Sequence, residues 1–293
     1  MSRPSRPAGT GAFRRQVLAH YARHARGFPW RETRDPWAIL VSEVMLQQTQ
    51  TDRVLPKYLE WMARFPDPAS LASAPLQEAL ALWSGLGYNR RALALVRAAA
   101  QIARRGSFPS EEESLLELPG VGPYTARAVL AFAFARPVAL IETNIRSAFL
   151  HHFFPDGDRV PDSRLVPYVE ACASAEAADP RRWNYALMDY GAFVKREYGN
   201  PGRRSAHYAK QSPFADSNRR IRGAILRALA AAGKADGEAS GAAERGPAYL
   251  ARERLARELP FAQERVEAAL RELEAEGFVE IRGGEVSIRG GGA

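Results

Sequence analysis

Cysteine is almost absent: the 293-residue chain has one, Cys172. A single thiol excludes an internal disulfide and any cluster that needs several thiolates, and it suits a reducing intracellular setting. Long apolar runs are missing too, and none approaches the ~20 residues that a membrane span requires. The opening MSRPSRPAGTGAFRR is basic but lacks an apolar h-region, which predicts no secretory leader. Acidic residues are outnumbered, 33 against 41 Lys+Arg, for a net charge of +8. Such an excess favours a polyanionic partner without specifying it. What remains, 46% hydrophobic and 25% charged residues, is the composition of an ordinary globular protein. The length suggests two domains, or one with an appendage.

Strand signals are also scarce before residue 277, so the main body reads as all-α. Phe13, Val17, Leu18 and Tyr21 form one stripe of a helix from Ala12 to about Arg26, which Phe28-Pro29-Trp30-Arg31 breaks. Asp35-Pro36 opens the next helix, Asp as cap and Pro in the first turn, and it runs through Glu43 to Gln48. Further helical windows fall at 52–64, 75–83 and 89–104, separated by Phe65-Pro66-Asp67-Pro68 and Gly85-Leu86-Gly87. A short helix, Glu111–Glu117, precedes Leu118-Pro119-Gly120-Val121-Gly122-Pro123. Helices follow at Tyr124–Phe134 and near 143–153, 162–174 and 181–198. Beyond Lys210 the texture changes. Ser217–Ala231 is a basic helix, and Gly233–Gly246 reads as a mobile linker. Helical windows at 249–258 and 262–276 lead to two alternating segments, 278–282 and 285–288, around Gly283-Gly284, a hairpin signal. Three helices and a hairpin resemble a winged-helix module.

Two strings carry chemistry. In Leu118-Pro-Gly-Val-Gly-Pro-Tyr-Thr-Ala126, glycines two residues apart allow a tight turn whose amides face outward at a helix N-terminus. That is either a phosphate clip or a plain interhelical turn. In Ile39-Leu-Val-Ser-Glu43-Val-Met-Leu-Gln-Gln-Thr-Gln50, a carboxylate lies among apolar residues. Desolvated, it has a raised pKa and is a general acid; solvated or ion-paired, it is an ordinary helix glutamate. The pair His151-His152 points in directions about 100° apart on a helix, which favours a satisfied helix end over a metal site.

Phe28-Pro-Trp30-Arg31, Ser42–Gln50, Leu82-Trp-Ser-Gly-Leu86-Gly-Tyr88 and Leu118–Ala126, taken in order, resemble the helix-hairpin-helix (HhH-GPD) base-excision DNA glycosylases, nearest their adenine-specific branch. The resemblance runs from about Phe13 to Gly191. It implies an all-α, bilobal glycosylase fold with a small winged-helix-like (α+β) C-terminal module. The expected parts are an N-terminal helix (1–29) packing with the second lobe, a six-helix barrel-like lobe (30–140) and a second helical lobe (141–215). The C-terminal module spans 216–293, and Glu142 sits in the cleft between the lobes.

The resemblance further implies a monofunctional enzyme that flips a base from duplex DNA and hydrolyses its glycosidic bond. The leading substrate is adenine opposite guanine or 8-oxoguanine. Mismatched thymine or uracil, a damaged purine, or a catalytically inactive DNA-binding scaffold are the alternatives. Glu43 becomes the acid on the purine. Tyr124 stands where lyase-competent relatives carry a Schiff-base lysine, and a phenol forms no imine. Glu142 stands for the family's second carboxylate, an aspartate in the relatives, with Asn144 beside it; a purely structural Glu142 is the other reading. Gln48 and Tyr88 match duplex wedges; plain core is the other reading of Tyr88. Thr49, Leu86, Gly120, Gly122, Thr125, Trp30 and Arg31 complete the expected DNA-binding set.

Two departures stand out. The loop 195–212, where relatives bind an iron–sulfur cluster through four cysteines, has none here, so no metal or cofactor is expected. Its Lys195, Arg196, Arg203, Arg204 and Lys210 are candidate phosphate contacts. The lesion-reading Nudix-like domain that such relatives often carry is not expected here either. In its place, helix 262–276 carries Glu264, Glu267, Glu272, Glu274 and Glu276 and is expected to pack on the body or bind protein. The helix with Arg219, Arg220, Arg222 and Arg227 is the better DNA candidate. The expected partner is double-stranded DNA with a mismatch or lesion, bound by a monomer with no membrane association, in the cytoplasm (at the nucleoid if bacterial).

Overall fold

The computed structural model describes residues 8–209, 217–240 and 249–290, with side chains up to 232 in the second stretch. The elements are helices α1 (Thr10–His24), α2 (Pro29–Glu32), α3 (Pro36–Leu46), α4 (Thr51–Arg64), α5 (Pro68–Ala72), α6 (Leu76–Trp83) and α7 (Arg90–Arg105). They continue with α8 (Glu112–Leu116), α9 (Pro123–Phe132), α10 (Thr143–Phe153), α11 (Asp162–Ala175), α12 (Pro180–Glu197) and a 3-10 turn, Pro201–Arg204. The C-terminal part comprises α13 (Asn218–Ser240), β1 (Leu250–Ala251), α14 (Arg252–Glu258), α15 (Gln263–Ala275), β2 (Val279–Arg282) and β3 (Glu285–Ile288). No described helix is long and apolar enough to cross a membrane.

The fold is all-α with a small α+β C-terminal module, and the differences from expectation are local. Phe65-Pro66-Asp67-Pro68 does not only break a helix; it starts one. The Asp67 side chain accepts from the Ser70 amide at 2.8 Å and Pro68 takes the first turn, so α5 forms where a loop was expected. Helix α13 runs on through Gly233 and Gly237 to Ser240, overriding the expected start of the linker. The alanines of that stretch offset the ~1 kcal/mol that each helical glycine costs. Residues 241–248 lie outside the described residues. β1 precedes residue 277 and adds a third strand, giving an antiparallel sheet ordered β1-β3-β2, with Leu250 opposite Val286 and Val279 opposite Ile288.

The chain divides into two compact units. The first contains residues up to Glu43, 109–117 and 121–210. Its core is aromatic. Phe13 of α1 packs against Phe149 at 4.9 Å and Phe153 at 5.2 Å, and Phe132 stacks on Tyr185 at 4.2 Å. Aromatic pairs of this geometry add to the gain from burial alone. α10 lies against α12 because Gly191 has no side chain: a Cβ there would meet the Asn144 carbonyl oxygen at 2.0 Å.

The second unit contains 44–108, 118–120 and 211–293. Trp61, Trp83 and Phe65 are fully buried in it, and α13 packs against both α6 and α15. The C-terminal module and α4–α7 therefore form one body. The acidic helix α15 explains part of this. Glu276 accepts from Arg90 at 2.5 Å and from Arg222 at 2.5 Å, and those guanidiniums pull its carboxyl down to about 2. Glu272 pairs with Arg222 and Asn218, and Glu267 with Arg252. Part of the acidic charge of this segment is thus neutralised by arginines of the same unit.

Candidate active site

Glu43 lies on α3 between Ser42 and Val44, one turn after Ile39, so the helical period that buries Ile39 and Leu40 buries it as well. It is 7% exposed. Burial pushes its carboxyl up to about 7; the Tyr124 hydroxyl, hydrogen-bonded to it, pulls the other way. The Glu142 charge raises it further, and Arg31 lowers it. At neutral pH the group is therefore partly protonated, the condition for a general acid. Tyr124, in the first turn of α9, is half-buried, and its phenol is raised by desolvation and by the charges of Glu43 and Glu142. It stays a neutral hydroxyl and donates to the carboxylate.

Glu142 is the N-cap of α10. Its Oε1 accepts from the amides of Asn144 and Ile145, both at 2.7 Å. Oε2 accepts from Thr143 Oγ1 at 3.0 Å and Asn144 Nδ2 at 3.2 Å. Four donors, two of them amides at a helix N-terminus, fix the position of this carboxylate. Asn144 is in turn fixed by Lys195 Nζ, which donates to its Oδ1 at 3.0 Å. Glu43, Tyr124, Glu142 and Asn144, dispersed over 102 positions of sequence, thus share one neighbourhood of the first unit: a protonatable acid, a phenol and a fixed anion. They can donate a proton and stabilise nearby positive charge.

Arg31 and Trp30 are placed in the core rather than at a surface. Trp30 is 3% exposed and stacks on Phe28 at 4.8 Å. Arg31 grips Asp189 with both Nη atoms at 2.8 Å, and Arg26 joins through its amide at 3.0 Å and Nε at 2.6 Å. Arg31 also lies over Tyr185 at 4.5 Å. These arginines hold the Asp189 carboxyl below its ordinary range despite its burial. Sequence reasoning missed Asp189. The only signal was its position in an amphipathic helix, on the buried side.

The helix-hairpin-helix is α8, the turn 117–122 and α9. Gly120 has φ 79°, which only glycine adopts readily, and a Cβ there would meet Ala94 Cβ at 2.7 Å. Gly122 caps α9 ahead of Pro123 and, like Gly120, is exposed, whereas Thr125 is 3% exposed.

In the second unit, Gln48 and Tyr88 both have left-handed backbones, φ 54° and 49°. Gln48 is exposed, Tyr88 half-buried and Leu86 buried. Arg91, also missed from sequence, ties the two turns together. Its Nη1 donates to the carbonyls of Val44 (2.8 Å), Met45 (3.0 Å) and Gln47 (2.5 Å). Its Nη2 reaches Thr49 Oγ1 at 3.1 Å and the Gly87 carbonyl at 3.1 Å.

The loop after α12 is not built for a cluster. Cys172 is buried in α11, and residues 198–209 offer no thiolate, so the residues present do not fit an iron–sulfur group. Backbone pairing holds the loop: Val160 pairs with Ser205, the Val160 amide donating to the Arg204 carbonyl at 2.7 Å, and Arg204 donates to the Leu150 carbonyl at 3.2 Å and to that of Pro155. Lys195 is committed to Asn144 and Arg204 to backbone; Arg203 is exposed in the turn and Arg196 pairs with Glu197. Lys210 lies outside the described residues. His152 hydrogen-bonds the Tyr190 hydroxyl at 2.7 Å, and burial lowers its imidazole to about 4.

Residues 41–178 match the HhH-GPD superfamily of base excision DNA repair proteins. The adenine DNA glycosylase of Mycobacterium tuberculosis (strain H37Rv) is 47% identical over 182 residues, which are 61% of this chain and 60% of that protein. The Homo sapiens adenine DNA glycosylase is 36% identical over 197 residues, 62% of this chain and 36% of that protein. The chain thus spans three-fifths or less of the length of these relatives. Among solved structures, a thermostable thymine-DNA glycosylase aligns with a TM-score of 0.56 and 25% identity, over 62% of this chain and 86% of that one.

Proposed function

We propose, from the match of residues 41–178 to the HhH-GPD superfamily of base-excision DNA repair proteins, that the chain hydrolyses the N-glycosidic bond of a flipped-out base in duplex DNA, releasing adenine opposite guanine or 8-oxoguanine. One observation carries the reading: a buried glutamate with its carboxyl at about 7, hydrogen-bonded to Tyr124 and within electrostatic reach of Glu142. In this reading Glu43 gives its proton to N7 of the purine. The C1′–N9 bond then breaks with its electron pair leaving on the base. The anion of Glu142, with Asn144 beside it, faces the positive charge left on the sugar. Water adds to C1′, and the Glu43 carboxylate takes up its proton. Tyr124 orients Glu43 and cannot form an imine, so the product is an abasic site with an uncut strand.

Gln48 and Tyr88 fill the vacated stack, and the amides at Gly120 and Gly122 take a backbone phosphate. Trp30, Arg31, Leu86 and Thr125 act as support beneath those contacts. Double-stranded DNA is the partner, bound by a monomer. The winged-helix character of 216–293 belongs to the same proposal. A second reading, mismatched thymine or uracil as the base released, is favoured by the likeness to the thymine-DNA glycosylase.

A single-turnover assay on end-labelled duplexes separates these. Each carries one adenine, thymine, uracil or hypoxanthine opposite guanine or 8-oxoguanine, and alkali reveals abasic sites. Adenine release abolished by Glu43→Gln is the expected result. Release of thymine or uracil instead would move the specificity, and no release with binding intact would refute the enzyme.

A further inference from the structure

The turn between α6 and α7 is strained at Tyr88. A non-glycine residue at φ 49° is strained and persists only where its surroundings impose it. Two sides of that environment are internal to the turn. Trp83 Nε1 donates to the Gly87 carbonyl at 3.0 Å, Arg91 donates to it at 3.1 Å, and the Arg91 guanidinium lies 5.4 Å from the Tyr88 ring centre. The third side comes from the C-terminal module. Arg219, in the first turn of α13, donates from Nη1 to the Tyr88 hydroxyl at 2.5 Å, and its guanidinium lies 5.3 Å from the same ring centre. The phenol is thus held at its oxygen and along its face by a helix 131 positions away in sequence.

A groove of about 1380 Å³ opens at this contact, lined among others by Gln48, Arg53, Tyr88, Arg219 and Arg227. Glu272 also lines it, but its carboxylate is taken by Arg222 and Asn218. The free charge on its lining is therefore basic, set beside the amides of Gln47, Gln48 and Asn89, the Tyr88 ring and apolar side chains such as Leu80 and Leu226, and the volume suits a few nucleotides of sugar-phosphate backbone. Guanidiniums beside an aromatic ring bind a phosphate and a stacked base together.

We propose that α13 is part of the DNA-reading face: Arg219 is a positioning residue that presets Tyr88 for insertion beside the flipped nucleotide, and the groove it lines seats the duplex backbone next to that wedge. The proposal rests on the glycosylase reading for the identity of the wedge, and it gives the C-terminal module a role in distorting DNA.

The test uses the full chain and a duplex with 2′-fluoro-2′-deoxyadenosine, whose glycosidic bond resists hydrolysis, opposite 8-oxoguanine. A neighbouring 2-aminopurine reports unstacking. Arg219→Ala and Tyr88→Phe should each cut the fluorescence rise at least threefold, the double variant should match Arg219→Ala, and Arg219→Lys should restore part of it. Arg219→Ala should also lower the salt slope of binding by about one. Equal far-UV circular dichroism and Tm exclude misfolding, and Tyr88→Phe keeps the ring should Arg219→Ala unfold. Wild-type unstacking by Arg219→Ala, or additive losses in the double variant, overturns the proposal. Arg219-dependent unstacking by a chain that releases no base retains the wedge and refutes the glycosylase instead; failure of the wild type to bind duplex refutes both.

Discussion

The Tyr124 hydroxyl is hydrogen-bonded to the carboxyl of Glu43, and the two side chains arrive from helices 81 positions apart in sequence. The bond stabilises the carboxylate, while burial and the Glu142 charge favour the neutral acid, and burial is the largest cause. Base release should therefore fall as pH rises through about 7, because only the protonated form donates. Removing the bond with Tyr124→Phe leaves only the Arg31 charge opposing burial, so the alkaline limb of the single-turnover pH profile should move to higher pH. A shift to lower pH would mean that the phenol is not holding the anion.

The same titration bears on stability. A carboxyl whose folded pKa lies above its unfolded value binds more protons when folded, so stability falls as pH rises from about 4.5 to about 7. At one pKa unit per ~1.4 kcal/mol, the carboxylate costs on the order of 3 kcal/mol above pH 7. Glu43→Gln should therefore be inactive yet more stable than the wild type at pH 8, with the advantage lost near pH 4.5. Thermal melts at both pH values test this; an equal Tm at pH 8 would show that the carboxyl is not desolvated.

Asp189 is the reverse case. Its carboxyl is 1% exposed and is held as an anion by Arg31 and Arg26. A depressed folded pKa gives stability that is present above the unfolded value and lost as pH falls through the folded one. Asp189→Asn leaves the buried Arg31 guanidinium unpaired, a change that costs about 3–5 kcal/mol. A large fall in Tm at pH 7 is expected, and it should shrink as acid protonates the wild-type carboxyl. Undiminished stability at pH 7 would show that Arg31 finds another partner.

What could be read from sequence was what depends on neighbours in the chain. The helix entered by Asp35-Pro36 and the turn at Gly120-Val121-Gly122 carry their own caps and glycines, and Glu43 announces itself by lying inside an apolar period. Asp189 was illegible because its partners, Arg26 and Arg31, lie about 160 positions away. Arg91 reads as one of several arginines on α7; only the fold brings five carbonyls to its guanidinium (Val44, Met45, Gln47, Leu86, Gly87). The Pro66-Asp67-Pro68 string is ambiguous in principle, since the residues that end one helix are also those that begin the next.

Glu142 joins a capping role to an electrostatic one, and substitution can separate them. Its carboxylate closes the N-terminus of α10 and also raises Glu43. Glu142→Ala should cost about 1 kcal/mol as a lost cap and, by removing the negative charge, lower the Glu43 pKa, moving the alkaline limb of the pH profile to lower pH. Glu142→Asp restores a strong cap and a charge with one methylene less, so it should retain both stability and pH profile. The distinguishing variant is Gly191→Ala, whose Cβ would collide with the Asn144 carbonyl and push the α10 terminus away from α12. It leaves every polar group intact yet should reduce the single-turnover rate at least tenfold, because misplacement of about 1 Å at a reacting centre costs on the order of a hundredfold. A rate within twofold of wild type would show that the position of Glu142 and Asn144 does not matter, leaving Glu142 with its cap alone.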